Sequence, residues 1–404
     1  MEAFEILRAL FTSDAASDPY PHYADLLAAA EAFHLSQWSS VFVVGYTAIE
    51  SVLRDPVFEV QGATGLDETF PAWREHPSMS KNSVLDLNGD EHARVRGLMS
   101  RAFSHRRVAS LTPAIAATTA GLLDDMADRG GGEPVDFVAH FAYLLPVIVI
   151  CDLIGIPQAD RETFRPLAAD LVAGLLGERQ RAEAALATAD ASTIRLNDYF
   201  TVLADERREH PRDDLLSVLV QVRDAGDGRL SDAELLDNLN TLLLAGFLTT
   251  SNLLGNGLAL MLSDPQMAAA VREAEIAAAD FVEEALRYEA PVQMTARRAA
   301  APTEIGGVPV SAGTQVVLLI GAGNRDPRRF ASPDRFDPRR SDAGALSFGG
   351  GPHFCLGAAL ARLEALIAFP ALLARFPGIA GAGEARRIPG LAFRGFESMP
   401  VALA

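Results

Sequence analysis

The sequence of 404 residues contains little cysteine, almost no lysine and no long uncharged apolar run. Its two cysteines, Cys151 and Cys355, are too few and too far apart in sequence for a disulfide framework, which fits a reducing compartment. Lys81 is the only lysine among 35 basic residues, so the sequence has no phosphate-binding loop of the G-K-[ST] type. These absences exclude a disulfide-stapled secreted domain and a Walker-type nucleotide hydrolase.

Positive charge is also scarce, since 53 acidic residues against 35 basic ones give a formal net charge of −18. Phosphate binding needs clustered positive charge, so neither nucleic acid nor an anionic membrane is expected as a partner. Residues 1–11 mix charged with apolar side chains and lack the pattern of a signal peptide. The most apolar segment, residues 141–156, is interrupted by Pro146 and Asp152 and is shorter than the roughly 20 residues of a membrane span. We expect a soluble, cytoplasmic protein.

The hydrophobic residues, 49% of the chain, are ample for a large core, and most of the first 290 residues show helical periodicity. Ser231 and Glu234 have the spacing of a capping box, and the helix predicted from this point runs to about Ser263. This helix is apolar nearly all round, which predicts burial. Strands are predicted at residues 41–45, 304–310 and 314–320, with a tight turn at Gly306 and Gly307.

The strongest sign of chemistry is the ten-residue stretch from Phe348, FGGGPHFCLG. Cys355 lies where this glycine-rich loop meets a predicted helix of residues 358–369, which Pro370 interrupts. Glycines let backbone amides approach the sulfur, and the helix N-terminus favours a thiolate. His353, two residues away on the same loop, is poorly placed to be the base of a nucleophilic dyad. A lone thiolate ligand is therefore favoured over a nucleophile or a buried structural cysteine.

This loop resembles the haem-binding motif F-x-x-G-x-[HR]-x-C-x-G of the cytochrome P450 family of haem-thiolate monooxygenases. The matching residues are Phe348, Gly351, His353, Cys355 and Gly357. The resemblance implies a mainly α fold with a small β region, a triangular α-helical prism around a buried haem, as a single domain over residues 1–404. It also implies haem b (iron protoporphyrin IX) as cofactor, with Cys355 as the metal ligand.

Two further motifs of the family lie before this loop, in the order along the sequence that the family has. Glu284 and Arg287 match E-x-x-R, and the resemblance implies a buried charged network completed by Arg335, as scaffold and not as catalyst. Taken alone, the pair would be an ordinary exposed ion pair on a helix. His92 and Arg96 match H-x-x-x-R, and Arg297, in preference to Arg298, matches the arginine that binds the second haem propionate. The alternative for each of these basic residues is a solvated surface position.

On the long helix, residues 245–250, AGFLTT, match the family motif A-G-x-[DE]-T-T at all but one position. Leu248 replaces the acid that takes part in proton delivery. The resemblance makes Thr249 a catalytic residue that contacts dioxygen and lets Ala245 and Gly246 bring the backbone close to the cofactor. The alternative is a threonine whose hydroxyl bonds the carbonyl four residues earlier. Thr241, Leu244 and Ala245 should border the substrate, because 241 and 245 share the face of 249.

The family's other substrate-contact regions correspond to largely apolar segments. They are residues 58–84, residues 171–177, Val292, Gln293, Ala392 and Phe393. This predicts a bulky, mostly hydrophobic small molecule, and the composition resembles family members that tailor secondary metabolites.

The length leaves no room for a fused flavin reductase, so the resemblance implies electrons from a separate ferredoxin and its NAD(P)H-dependent reductase. Ferredoxins are acidic, so we expect docking through a local arginine patch on a monomer, formed by Arg101, Arg106, Arg107 and Arg362. The alternatives are a haem-thiolate sensor or carrier without turnover, and a peroxide-driven oxidase. Thr249 and the arginine patch disfavour a sensor or carrier. Peroxide-driven members of the family place an arginine near the oxygen site, and Leu248 offers none, which disfavours a peroxide-driven oxidase.

Overall fold

The structure is a computed structural model that describes residues 3–11, 17–60, 76–78, 81–161, 164, 166–167, 170–171, 182–225, 229–342 and 344–404. It is 58% helical with a small β region. The predicted fold class, mainly α with a minor sheet component, is confirmed.

Fourteen α-helices are numbered here in chain order over the described residues. They are α1 (Ala3–Leu10), α2 (Tyr20–Ala29), α3 (Tyr46–Arg54), α4 (Gly89–Met99), α5 (His105–Ser110), α6 (Thr112–Gly130), α7 (Leu144–Ile154), α8 (Ala182–Glu209), α9 (Leu215–Asp224), α10 (Asp232–Ser263), α11 (Pro265–Arg272), α12 (Ala278–Tyr288), α13 (Ile320–Gly323) and α14 (Ala358–Arg375).

The strands are short and form four small sheets among the described residues. They are β1 (Ala32–Leu35), β2 (Ser40–Val43), β3 (Phe58–Glu59), β4 (Val135–Asp136), β5 (Thr295–Ala299), β6 (Thr303–Ile305), β7 (Val308–Val310), β8 (Gln315–Leu318), β9 (Ala380–Gly381), β10 (Arg386–Arg387), β11 (Phe396–Ser398) and β12 (Pro400–Ala402). The largest sheet has the order β1-β2-β8-β5-β3, in which only the β2–β8 pair is parallel. The predicted hairpin is confirmed as β6–β7, with positive φ angles at Gly306 and Gly307.

The chain divides into two compact units. The first comprises residues 1–59, 112–145 and 249–404 and holds the strands of the described chain. Its main sheet is buried on both faces, as the alternation along β2 shows. Val41 and Val43 pack with residues of α3, whereas Phe42 packs with residues of α1 and α2. The prediction that residues 1–404 form a single domain stays a prediction.

The second unit, residues 60–111 and 146–248, is helical. Arg207 of α8 is fully buried and forms an ion pair with Asp214 at 2.7 Å, while its Nη2 donates to Gly155 O at 2.6 Å. Asp214 in turn caps α9 by accepting from Ser217 N at 2.8 Å. One buried carboxylate thus joins the end of α8 to the start of α9.

The 32-residue helix α10 begins and ends where the sequence predicts. Ser231 N donates to the Glu234 carboxylate at 2.8 Å and Glu234 N donates to Ser231 Oγ at 3.2 Å, so the predicted capping box is formed. By length and composition α10 could cross a membrane, but 72% of its apolar window is buried inside the protein. This burial is what a core helix requires.

Helix α14 differs from its prediction, because Pro370 lies inside it and does not end it. Proline removes one backbone donor, but the residues around it, Phe369, Leu372 and Leu373, are buried. The ring of Phe369 fills the space beside Gly257 of α10, where a Cβ atom would stand 2.2 Å from Phe369 Cζ. Packing therefore carries the helix past the proline.

Candidate functional site

The loop that precedes α14 holds Cys355 in a conformation that depends on glycine. Two 3-10 turns, Leu346–Phe348 and Gly351–His353, lead into it, and Cys355 N donates to Phe348 O at 2.8 Å. Gly351 has a φ of +63°, and a Cβ atom there would lie 2.3 Å from Leu53 O. Only glycine fits this contact with the end of α3. Cys355 itself is exposed, two residues before Gly357 caps α14.

A chain of hydrogen bonds supports this loop from below. Leu346 N donates to Asn324 Oδ1 at 2.7 Å, and Asn324 Nδ2 donates to Ser347 Oγ at 3.0 Å. The backbone oxygen of Asn324 accepts from Arg287 Nη1 at 2.8 Å. The predicted E-x-x-R motif on α12 therefore holds the turn that leads to Cys355.

Glu284 and Arg287 form a buried bidentate ion pair, with both nitrogen–oxygen distances at 2.8 Å. The third charged member is Arg340, whose Nε lies 2.8 Å from Glu284 Oε2. The assignment of this role to Arg335 is wrong. Arg335 is exposed and contributes its backbone oxygen, which accepts from Arg287 Nη2 at 3.2 Å. The chain turns between the two arginines, so the one further along reaches the carboxylate.

Arg297 on β5 is a buried cation. Its side chain donates to Ala296 O at 2.8 Å, and none of the ion pairs among the described residues includes it. Burial lowers its pKa to about 10. Retaining a buried charge requires a compensating partner. A ligand that brings its own carboxylate, as haem does with its propionates, therefore fits this position, whereas the neighbouring Arg298 is half-buried on the other face of the strand.

His92 and Arg96 lie one turn apart on α4, as predicted. His92 is buried and Arg96 is half-buried. Burial, and then the positive charge of Arg96, lower the pKa of His92. The structure thus brings the two side chains of the H-x-x-x-R motif together on α4.

Helix α10 presents one accessible stripe in a helix that is otherwise largely buried. Thr241, Leu244, Ala245 and Thr249 are partly or fully accessible, whereas Leu248 is buried at 7% exposure. The predicted substrate-facing residues therefore share a face. Leu248 lies only about 20° from Thr241 and about 40° from Leu244 around the helix, so its burial sets it apart from these residues and its position on the helix does not.

Gly246 has a packing role that the sequence did not reveal. A Cβ atom at Gly246 would lie 3.0 Å from Ile150 Cγ1 of α7. The glycine therefore allows α7 and α10 to approach closely, beside any role toward a cofactor.

Residues 289–293 and 391–395 run side by side as two antiparallel segments of the chain, which we call the ribbon. Gln293 N donates to Ala392 O and Arg394 N donates to Pro291 O, both at 2.9 Å, and Val292 faces Phe393 across it. Val292 and Phe393 are half-buried, as expected of residues that line a ligand site.

Gln293 is a correction to the predicted substrate contacts. Its side chain is 1% exposed, with Nε2 donating to Ala290 O at 2.8 Å and Oε1 accepting from Tyr23 OH at 3.1 Å. Its amide is therefore committed to the core. Tyr23 lies 270 residues away in sequence, so no local pattern could reveal this contact.

Comparison with known proteins agrees with this geometry. The family model described as Cytochrome P450 matches residues 190–379. The cytochrome P450 monooxygenase PikC of Streptomyces venezuelae is 37% identical over 395 residues, covering 96% of this chain and 92% of PikC. The 6-deoxyerythronolide B hydroxylase of Saccharopolyspora erythraea is 39% identical over 346 residues, covering 84% and 83% of the two chains.

The crystal structure of P450BioI, in complex with acyl carrier protein carrying hexadec-9Z-enoic acid, superposes with a TM-score of 0.86. It is 34% identical, and the match covers 96% of this chain and 99% of that one. The chain belongs to the cytochrome P450 family. This P450 is a monooxygenase with a haem cofactor, and it needs a protein that supplies electrons.

Two of the arginines predicted to dock this partner are already paired. Arg362 of α14 forms an ion pair with Glu283 and stacks on the Phe348 ring, with Cζ 4.3 Å from its centroid. Arg107 pairs with the exposed Asp213 at 2.7 Å. Arg101 and Arg106 are exposed, and no ion pair among the described residues includes them. The docking patch stays a prediction, with its free charge on α5 and the residues just before it.

Some predicted substrate contacts lie outside the described residues. They are residues 61–75 and 79–80 of the first loop and residues 172–177 of the second. Within the described part of the chain, no group of three or more His, Cys, Asp or Glu side chains could hold a metal ion.

The polar residues that sequence reasoning missed lie on α10 and in the segment between α13 and α14. Asn252 and Asn256 are buried in the apolar helix α10, and Arg340 lies in that segment. Asparagine inside such a helix is itself a signal, because a buried amide requires hydrogen-bond partners. Arg340 had no signal to separate it from its neighbours in an arginine-rich segment.

Proposed function

We propose that this P450 inserts one oxygen atom from O2 into a bulky, mostly hydrophobic small molecule, using haem b with Cys355 as its axial ligand. The observation that carries the proposal is the exposed Cys355 just before α14, in a loop that contacts Leu53 closely because position 351 is glycine. A thiolate at this position is favoured by the N-terminus of an 18-residue helix. When bound, the haem supplies the chemistry that activates dioxygen.

The cationic side chains would bind the carboxylates of the cofactor. Arg297 supports this role because it is buried without an anionic partner among the described residues. The family pattern assigns the other propionate to His92 and Arg96. Phe348 stacks with Arg362, and this contact fixes the loop beneath the thiolate.

Proton delivery would use Thr249, since its hydroxyl is a polar group on the accessible stripe and directly follows the position of the missing acid. Leu248 is buried and has no proton to give. Thr249 Oγ1 can hold a proton donated by water and pass it on within hydrogen-bond reach. The alternative donor is a hydroxyl or carboxyl group of the substrate itself.

The substrate class follows from the accessible side chains. Leu244, Ala245, Val292 and Phe393 are apolar, so a hydrophobic molecule of some size suits them. One relative is named as a hydroxylase of 6-deoxyerythronolide B, which supports a tailoring reaction in secondary metabolism. Electrons would come from a ferredoxin and its reductase in the cytoplasm, and the enzyme would act as a monomer.

The decisive experiment compares the two cysteines. Cys355→Ser should abolish the thiolate signature of the reduced carbon monoxide complex and abolish product formation. Cys151→Ser should retain both, because Cys151 is buried and burial raises its pKa to about 12. Retention of the signature in Cys355→Ser would refute the assignment.

Reductant consumption separates the alternatives. Ferredoxin, its reductase and NADPH should give product from substrates that cause a haem spectral shift. A sensor would consume no reductant under these conditions. A peroxide-driven oxidase would form product from hydrogen peroxide alone at a comparable rate.

A further inference from the structure

Two buried asparagines on α10 lie against the ribbon, and one of them, Asn256, forms hydrogen bonds with it. Asn252 is 2% exposed and Asn256 is 1% exposed. Asn256 Nδ2 donates to Glu289 O at 3.1 Å and to Arg394 O at 2.9 Å. These two carbonyl groups belong to the two segments that form the ribbon. The side-chain amide of Asn256 therefore bonds both segments to the helix.

The ribbon is also in steric contact with the helix one turn earlier. A Cβ atom at Gly395 would lie 2.0 Å from Asn252 Oδ1 and 2.4 Å from its Cγ. The chain can therefore lie this close to α10 only with glycine at position 395. The hydrogen bonds of Asn256 hold the ribbon against α10, and the missing side chain of Gly395 leaves room for this close contact.

A second set of hydrogen bonds holds the ribbon through Arg394. Arg394 donates through Nε to the Glu289 carboxylate and through Nη1 to Ser17 O at 3.1 Å. Both Arg394 and Glu289 are buried. These bonds fix the ribbon at Arg394. Among the described residues, Asn256 is the one α10 side chain that hydrogen-bonds to both segments of the ribbon.

The position of Asn256 on α10 relates the ribbon to Thr249. Seven residues separate them, which corresponds to about 700° of rotation and about 10.5 Å of rise. The two side chains therefore lie on nearly the same face, two turns apart. A helix is stiff over this distance, so the hydrogen bonds of Asn256 set the distance between Thr249 and the ribbon.

We propose that Asn256 is a positioning residue for substrate specificity, which holds Val292 and Phe393 at a fixed height along the helix that carries Thr249. The inference rests on the proposed function. It assigns no chemical step to Asn256. Loss of its amide should move the apolar wall of the site while the Cys355 loop and the haem contacts stay unchanged.

The test uses ligands of two sizes. Imidazole reports on the haem alone, whereas clotrimazole, an imidazole with three aryl rings, also contacts the walls of the site. In Asn256→Leu, which keeps the side-chain volume but removes the donor, clotrimazole affinity should fall about tenfold, the change expected when hydrogen bonds of this kind are lost. Imidazole affinity and the thiolate signature should stay within about twofold.

Gly395→Ala tests the approach of the ribbon to α10 at Asn252 and does not depend on Asn256. We expect the same selective loss for clotrimazole. Asn240→Leu is the control, because Asn240 lies on the same helix and its Nδ2 donates to Asn197 Oδ1 at 2.7 Å, away from the ribbon. It should change neither affinity.

Amide exchange in the ligand-free protein gives a readout without the azoles. The amides of Gln293 and Arg394 form the ribbon and should exchange about tenfold faster in Asn256→Leu than in Asn240→Leu. Equal exchange, or parallel losses of imidazole and clotrimazole affinity, would overturn the proposal. If the unmodified protein bound neither azole at a haem, the proposed function would fail with it. If it bound both and Asn256→Leu changed nothing, only the positioning role would fail.

Discussion

The charged contacts behind the Cys355 loop differ from those that hold residues 76–78 and 81–94. In the first group, Glu284 and Arg287 are each 2% exposed and form hydrogen bonds in several directions. In the second, His76 and Asp190 are 27% and 17% exposed, and Arg94 is 32% exposed in its ion pair with Glu234. The first group lies within the first compact unit, and the second group lies within the second.

The second group holds its segment through carboxylates and one amide that accept from the backbone. Asp190 accepts from Ser78 N at 2.9 Å and Ser78 Oγ at 2.6 Å, and Asn238 Oδ1 accepts from Val84 N at 2.9 Å. The contacts of Asp190 are partly exposed, so solvent can replace them at little cost, whereas the hydrogen bond between Val84 and Asn238 is buried. The difference teaches that the scaffold of the cofactor loop is fixed by a buried charged network, whereas the ion pairs of this segment are partly exposed and individually weak.

Breaking the buried network should have the largest effect on stability. Glu284→Gln leaves the guanidinium groups of Arg287 and Arg340 without their shared carboxylate, and we expect a loss of about 3–5 kcal/mol. Urea unfolding and haem retention measure it. The control is Glu5→Gln in the exposed pair of Arg8 and Glu5, which has the same i, i+3 spacing and should cost roughly 0.5 kcal/mol or less. Equal losses would remove burial as the cause.

A methyl group at Gly351 should separate crowding from backbone strain in the same region. Gly351→Ala places a Cβ atom 2.3 Å from Leu53 O at a positive φ, and we expect a loss of roughly 2–3 kcal/mol together with reduced haem content. Gly307→Ala has a φ of +81° with no atom within 4 Å of the new Cβ. It should cost only about 1 kcal/mol from strain. A haem content equally reduced in both would contradict the role of the Leu53 contact.

Glu364 of α14 is a buried carboxyl group without a partner among the described residues. Burial raises its pKa well above its ordinary value. The folded protein thus keeps a proton that the unfolded chain loses above about pH 4.3, so the free energy of unfolding falls as pH rises through that range. Glu364→Gln removes this cost, and we expect it to raise the free energy of unfolding at pH 7.

The measurement is chemical unfolding of Glu364→Gln across pH 4 to 8. The gain in stability should grow with pH and vanish near pH 4. Glu397→Gln, at an exposed position, should give no such trend. A stability gain that did not change with pH would exclude titration of Glu364 as its source.

The smallest effect should come from the second region. Burial opposes ionisation of Asp190, but hydrogen bonds from Ser78 and His76 outweigh it and hold its pKa below its ordinary value. The contact therefore contributes stability above about pH 4 and loses it as pH falls through the lowered pKa. Asp190→Asn should cost roughly 0.5–1 kcal/mol at pH 6 and less at pH 3.

Urea unfolding at the two pH values measures this difference. Asp213→Asn, in the exposed pair with Arg107, is a comparison whose effect should be close to zero. If the cost of Asp190→Asn exceeded that of Glu284→Gln, the contrast between the two regions would be wrong.

Local sequence patterns predicted much of the fold because their causes are local. The capping box at Ser231, the hairpin at Gly306 and Gly307 and the glycine-rich loop before Cys355 each depend on residues a few positions apart. Pro370 was misjudged because burial of the surrounding side chains outweighs one lost hydrogen bond.

The missed contacts of the site are long-range. Arg340 replaces Arg335 because the path of the backbone between them decides which guanidinium reaches Glu284. Gln293 points to Tyr23, and Asn256 to Glu289 and Arg394, across 270, 33 and 138 residues. Periodicity and spacing carry no information about such pairs.

The burial of Leu248 bears on attempts to improve this enzyme by directed evolution. A glutamate at 248, which would restore the family motif, would have to fit where a leucine side chain already packs at 7% exposure. Its carboxyl group would lose hydration and would favour the neutral form. Screening for faster variants should therefore begin along the stripe itself, at Thr241, Leu244 and Ala245, where new polar groups could be solvated.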